Sequence, residues 1–155
     1  MEKTQDKLAC RYVETPIGPL TLVARGDALI EARFGGFPIS HESSLLDLAE
    51  QELKEYFSHK RRSFDLPLDP QGTPFQKRVW EEVRSIPYGE TRAYIDVARA
   101  LGNEQACRAV GRANNRNPLP LFVPCHRVIG QDGSLVGYAG GLAAKKWLLR
   151  LEQGQ

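Results

Sequence analysis

The stretch Thr91-Arg-Ala-Tyr-Ile-Asp-Val-Ala-Arg-Ala-Leu-Gly-Asn-Glu-Gln-Ala-Cys-Arg-Ala-Val-Gly-Arg-Ala-Asn-Asn-Arg116 decides how the second half of the chain is read. Thr91 is of a type that caps helix N-termini, the residues after it carry a helix to about Leu101, and Gly102 supplies the stop. Asn103 can cap a second helix running to about Asn115. Two short helices about a glycine make a helix-turn-helix. On the second helix Ala106, Ala109, Val110 and Ala113 are predicted to face inward, while Arg108, Arg112 and Arg116 recur four apart on an outward face. Arginines beside small residues, with Gly111 among them, suit a close approach to a nucleic-acid backbone; the competing reading is a solvated cationic face.

Working outward, Thr73-Pro74-Phe75-Gln76 is a capping box with proline at the first helical position, and Phe75, Val79, Trp80 and Val83 form an apolar stripe to about Arg84. Downstream of Asn117-Pro118, an apolar segment from Leu119 to Ile129 runs through Cys125, and Gly130-Gln-Asp-Gly133 is a turn signal. A loop then carries Tyr138 through Gly140-Gly141 into a last helix, where Leu142, Trp147, Leu148 and Leu151 are predicted to form the buried face and Glu152 lies at the end. The first half offers short β-like runs at about 9–13, 20–24 and 29–34, then Leu45, Leu46, Ala49, Leu53, Tyr56 and Phe57 at helical spacing over Ser44 to His59. The expected class is α+β: a small N-terminal antiparallel sheet with a helix, packed on a mostly helical C-terminal domain that contains the helix-turn-helix. The loop from Leu66 to Gly72 sets the expected boundary, with domains over 1–68 and 69–155.

Composition narrows the function classes. A chain of 155 residues with 41% hydrophobic content can bury a core. Neither an apolar leader nor a run of transmembrane length stands out, so a soluble, cytoplasmic protein without a membrane partner is expected. Three cysteines, at positions 10, 107 and 125, are odd in number and lack CxxC spacing, which argues against a disulfide framework and against a bound metal. His41 and His59 have no partners at metal-ligand spacing and are expected to be solvated; Cys10 and Cys107 are expected to be packing residues. The net charge of +2 is small but uneven: no acidic residue falls between Glu104 and Asp132, where Arg108, Arg112, Arg116 and Arg127 all lie.

Chemistry concentrates at Pro124-Cys125-His126-Arg127. A thiol attacks only as thiolate, so a base beside it and an apolar run before it point to nucleophilic work rather than packing.

That motif extends to Val128-Ile129, is preceded by Arg108-Ala-Val-Gly and Asn117-Pro118, and is followed by Gly137-Tyr138-Ala139-Gly140-Gly141-Leu142. Taken together the series, from about Thr73 to Glu152, closely resembles the O6-alkylguanine-DNA alkyltransferases; the first half is similar more loosely, to the family's ribonuclease H-like domain. The resemblance implies DNA repair by direct reversal, with an alkyl group moved irreversibly from guanine O6, and also from thymine O4, to the protein's own cysteine, without cofactor or turnover. It implies Cys125 as nucleophile, His126 as base acting through a water, Glu152 as the partner orienting it, and Asn117 as the tie between the active-site turn and the helix-turn-helix. It also implies that the base is flipped from the duplex. Tyr94 then donates to the purine ring, the backbone at Cys125 and Val128 accepts from the exocyclic amine, and the Ala139 N–H, beside Tyr138, meets O6. Arg108 fills the vacated stack, and Ala106, Ala109, Gly111 and Arg112 lie on the helix laid against the minor groove. The implied partner is double-stranded DNA containing O6-alkylguanine, met by a monomer in solution that can bind cooperatively along DNA.

Some relatives carry serine where this chain has Ala139, which leaves only a backbone donor at O6. Zinc-binding members use N-terminal cysteines and histidines, of which only Cys10, His41 and His59 are present here, so no zinc is expected. The cysteine-rich second module of the adaptive-response proteins is not expected either, and Cys125 separates the chain from relatives with tryptophan at that place. A DNA-binding regulator would leave Tyr138 to Leu142 without a purpose, and a cysteine hydrolase would have no use for the arginine stripe.

Overall fold

The computed structural model describes residues 7–155, which divide between Gln71 and Gly72 into two compact units. The α+β class read from the sequence is the class observed. In the first unit β1 (Leu8–Val13), β2 (Leu20–Arg25) and β3 (Ala28–Phe34) form an antiparallel meander in sequence order, with Val13 opposite Leu20 and Leu20 opposite Phe34. Alternation along β2 buries Leu20, Leu22 and Ala24 on one face. Helix α1 (Ser44–Phe57) starts at Ser43, whose hydroxyl accepts from Leu46 N, and buries Leu46, Ala49, Leu53 and Tyr56. His41, expected to be merely solvated, is exposed but has a structural task. Its Nδ1 accepts from Cys10 N at 3.0 Å, its own N–H donates to Cys10 O at 2.9 Å, and the hydroxyl of Ser40 accepts from Tyr12 N at 3.3 Å. The loop thereby satisfies the outer edge of β1, which would otherwise offer unpaired backbone groups.

The second unit begins with α2 (Pro74–Arg84), and its capping box is formed as the sequence predicts: Thr73 Oγ1 accepts from Gln76 N at 3.1 Å and Gln76 Oε1 accepts from Thr73 N at 2.9 Å. The helix-turn-helix consists of α3 (Tyr94–Ala100), a 3-10 turn (Glu104–Ala106) and α4 (Cys107–Asn115). Thr91 does not cap α3. Arg92–Ala93 instead forms a two-residue strand, β4, paired in parallel with β5 (Val128–Ile129), and the carboxylate of Asp96 accepts from Ala93 N at 2.9 Å. Pairing with a distant segment overrides the local capping preference and sets the start of α3 beside the segment that carries Cys125.

Two predicted faces are corrected. On α4 Val110 and Ala113 are buried as expected and Asn114 is buried with them, whereas Ala106, in the 3-10 turn before the helix, and Ala109 are only half-buried. Helix α5 (Leu142–Glu152) buries Ala144, Lys145, Leu148, Leu151 and Glu152, whereas Leu142 and Trp147 are exposed. The buried carbonyls near Lys145 draw its ammonium inward, and this rotates the helix away from its most apolar side.

Trp80 fastens α2 to α4. Its ring is buried and its Nε1 donates to Ala113 O at 2.8 Å. Replacing Trp80 by Phe keeps most of the apolar contact but removes the donor, so urea unfolding should show a loss of about 1–3 kcal/mol.

Candidate active site

Asn117 closes the turn that presents the thiol. Its Nδ2 donates to Val123 O at 2.9 Å and its Oδ1 accepts from Leu119 N at 2.9 Å, so a single buried side chain spans the loop. Within that loop Leu121 is buried with φ of +78°, a left-handed conformation that costs a branched residue about 1 kcal/mol or more and needs tight surroundings to persist. The chain then enters a 3-10 turn, Cys125–Arg127, in which all three side chains are buried. Burial pushes the Cys125 thiol up to about 11, against the opposing pull of a hydrogen bond from Asn117 and the charge of Lys145. A thiol so placed is protonated at neutral pH and needs a proton acceptor at hand.

His126 meets that need. It is fully buried, and its Nε2 lies 2.7 Å from Glu152 Oε2. Burial opposes ionisation of Glu152, but hydrogen bonds from His126 and Arg127, with the charge of Arg127, outweigh it and hold the carboxyl well below its usual range. An ionised carboxylate only accepts, so Nε2 carries the hydrogen and Nδ1 is left with the lone pair. Nδ1 is buried and has no hydrogen-bond partner among the described residues. Burial lowers the His126 value, more than the pull of Glu152 raises it, so the ring is a neutral base.

Arg127 locks this arrangement. Its Nε and Nη2 donate to Glu152 Oε1 and Oε2 at 2.8 and 2.9 Å, and its Nη1 donates to Ile86 O at 2.7 Å. The guanidinium also lies 5.7 Å from the centre of the Tyr88 ring.

Around the thiol the structure gathers Tyr94, Val128, Tyr138 and Ala139. Tyr94 is half-buried and its hydroxyl donates to Val136 O at 2.9 Å. The Tyr138 ring stands edge-on to His126, with centroids 6.5 Å apart. Tyr138 and Ala139 line a narrow cleft together with Cys125, Asn114, Asn117 and Gly137. Gly137, at φ of +59°, cannot be replaced cheaply: a Cβ there would come within 2.7 Å of Asn115. Arg108 and Arg112 are exposed on α4; Ala106, Ala109 and Gly111 are half-buried beside them, and a Cβ on Gly111 would touch the Tyr94 ring at 3.8 Å. Cys107 is half-buried, and Cys10 lies in the other unit.

Three residues of the site escaped the sequence reading. Arg127 appeared there only as part of a basic stretch and as the last residue of the Pro124–Arg127 motif, with no role given, and Asn114 not at all. Lys145 is fully buried, with Nζ donating to Val128 O at 2.7 Å, Val136 O at 3.0 Å and Gly137 O at 3.4 Å. It joins the strand after the thiol to the loop before Tyr138. The available signal was its register with Leu148 and Glu152 on one face of α5, where a lysine interrupts an apolar stripe. Among the described residues no group of three or more histidine, cysteine, aspartate or glutamate side chains could hold a metal, and no helix is long and apolar enough to cross a membrane.

Comparison with known proteins agrees with this geometry. Residues 74–154 match the 6-O-methylguanine DNA methyltransferase DNA-binding domain, and residues 8–70 match the ribonuclease-like domain of the same proteins. The chain belongs to the 6-O-methylguanine DNA methyltransferase family. A methylated-DNA--protein-cysteine methyltransferase of Methanosarcina acetivorans is 47% identical over 147 residues, covering 90% of this chain and 94% of its own. The constitutive Bacillus subtilis protein of that name is 53% identical over 113 residues, or 72% of this chain and 68% of its own. The crystal structure of Mycobacterium tuberculosis O6-methylguanine methyltransferase superposes with a TM-score of 0.88 at 41% identity, covering 96% of this chain and 94% of that one. A structure of the Mycobacterium tuberculosis protein in complex with DNA gives 0.87 at 43% identity, covering 94% and 92%.

The Glu152 network makes stability fall with acid. Its lowered carboxyl contributes fully above the ordinary value of 4.5, and that contribution is lost as pH falls through the depressed one. His126, lowered from 6.5, adds in the same direction, because below 6.5 the unfolded chain takes up the proton first. Replacing Glu152 by Gln should cost about 3–5 kcal/mol at neutral pH by stranding the Arg127 charge, and thermal melts across pH 3–7 should show a shallower acid limb.

Proposed function

We propose that this protein repairs double-stranded DNA by taking the alkyl group from O6-alkylguanine, and also from O4-alkylthymine, onto Cys125, once and irreversibly. The observation that carries the reading is the bare Nδ1 of His126: a buried, neutral base whose other nitrogen is held by an ionised carboxylate, next in sequence to a buried, protonated thiol. In the proposed step a bridging water relays the thiol proton to Nδ1 as Sγ bonds to the alkyl carbon and the carbon–O6 bond breaks. The departing guanine takes up one proton, which balances the one lost by the thiol. The resulting thioether has no route back to thiol in this site, so each molecule acts once.

Access requires that the lesion leave the stack, at a cost of a few kcal/mol, and the helix-turn-helix is the proposed means. Laid in the minor groove, α4 and the 3-10 turn before it present Ala106, Ala109 and Gly111 for close approach, Arg112 for phosphate, and Arg108 to occupy the vacated position. Tyr94 exchanges its bond to Val136 O for one donated to the purine ring, the Ala139 N–H meets O6 beside Tyr138, and the carbonyls of Cys125 and Val128 face the amine. Asn117 holds the loop that keeps these groups in place. The chemistry and the DNA contacts belong to the domain over 69–155; the ribonuclease H-like domain over 1–68 contributes none of these residues.

Intact-mass and peptide spectrometry after incubation with a duplex carrying O6-methylguanine tests the reading. One methyl per protein on the Cys125 peptide, absent from Cys125→Ser, is the expected result; methylation elsewhere, or none, would end it. Arg108→Ala should slow repair of duplex by about tenfold or more while leaving the reaction with free O6-methylguanine base nearly unchanged, since only extrusion uses that side chain. Replacing His126 by Gln should slow transfer at neutral pH by about a hundredfold or more. That variant should regain rate toward alkaline pH, where the thiol approaches its own ionisation near 11, so a pH–rate series on both proteins checks the base assignment.

A further inference from the structure

Asn114 was absent from the sequence reading and has no role in the mechanism above, yet it is 2% exposed on the inner face of α4 and lines the cleft with Cys125 and Tyr138. Its Nδ2 donates to Cys125 O at 3.2 Å. This bond fixes the amide: turned over, its oxygen would oppose the Cys125 carbonyl. Oδ1 is then the outlying atom, and it is buried with no hydrogen-bond partner among the described residues. A buried amide oxygen without a donor costs about 1–3 kcal/mol, which an incoming donor would recover.

The lesion has one donor group to offer. In O6-alkylguanine the ring nitrogens N1, N3 and N7 accept, and only the 2-amino group donates. The two backbone carbonyls assigned to that amine are each partly engaged already, Cys125 O by Asn114 Nδ2 and Val128 O by Lys145 Nζ at 2.7 Å. Oδ1 has both lone pairs available. An O4-alkylthymine would bring its O2 acceptor, and no donor, to the same oxygens, so a mutual repulsion replaces the hydrogen bond.

Resting on the reading of this site as one that receives a flipped O6-alkylguanine, we propose that Asn114 is a specificity-determining residue whose Oδ1 accepts from the 2-amino group and biases the site toward guanine lesions. The test compares O6-methylguanine with O6-methylhypoxanthine, the same lesion lacking that amine, each in a duplex of one sequence. Dissociation constants measured in the Cys125→Ser background keep chemistry out of the comparison. With Asn114 present the guanine lesion should bind more tightly, and Asn114→Leu, with Asn114→Ala as a smaller replacement, should shrink that preference by about tenfold. An unchanged ratio, with both affinities falling together, would reduce Asn114 to a packing role and overturn the proposal. The alkyl-transfer reading fails separately: no methyl on wild-type Cys125 by mass, with an Asn114-dependent preference in binding, would remove the transfer and leave the recognition standing.

Discussion

One carboxylate organises the site. Glu152, at the end of α5, accepts from His126 and twice from Arg127, and its Oε1 lies 3.3 Å from Gly89 N. Three separate segments therefore converge on a group that is almost wholly removed from solvent: the turn after α2, the 3-10 turn of Cys125–Arg127, and the last helix. Burying a carboxylate alone would be prohibitive, and burying Arg127 alone equally so; together, with Nη1 of Arg127 also donating to Ile86 O, the penalty is met by short charge-assisted bonds. What survives as function is the tautomer. Because Glu152 stays ionised, His126 can point only a lone pair away from it.

Lys145 does for the recognition side what Glu152 does for the base. A buried ammonium with three carbonyl acceptors ties Val128 to Val136 and Gly137, and Val136 O is also the acceptor for Tyr94. Tyr94, the strand after the thiol and the loop before Tyr138 thus share one knot, and β4–β5 pairing holds the start of the helix-turn-helix to the same strand. The helix-turn-helix and the segment that carries Cys125 are therefore structurally linked.

Local signals in the sequence carried much of this. The capping box at Thr73, the meander of the first unit and the span of α5 follow from short-range patterns, and so they were legible. Thr91 misled because its preference for capping is local, while the pairing of Arg92 with Val128 spans thirty-six residues and has no local trace. Leu142 and Trp147 misled for a related reason: hydrophobicity predicted the face of α5, but a lysine drawn to buried carbonyls decided it. Cys125 and His126 stood out as an adjacent thiol and base, but Glu152 was joined to them only through the resemblance to a family, since nothing in the spacing alone joins position 126 to position 152. Asn114 and Lys145 stayed hidden because a polar residue on an inner helical face announces itself only when the face is known.

Burial raises the thiol and lowers the histidine, and this would be a poor design for an enzyme that must cycle, since a proton has to be moved uphill at each turnover. A protein that reacts once has different requirements. A neutral, enclosed thiol resists adventitious oxidation and alkylation, because those reactions need thiolate and access. With burial favouring the uncharged forms of both Cys125 and His126, an ion pair between them is disfavoured at rest, and the thiol can give up its proton only as the sulfur forms a new bond. The quietness of the thiol and the neutrality of the base therefore have one structural cause, the burial of both groups.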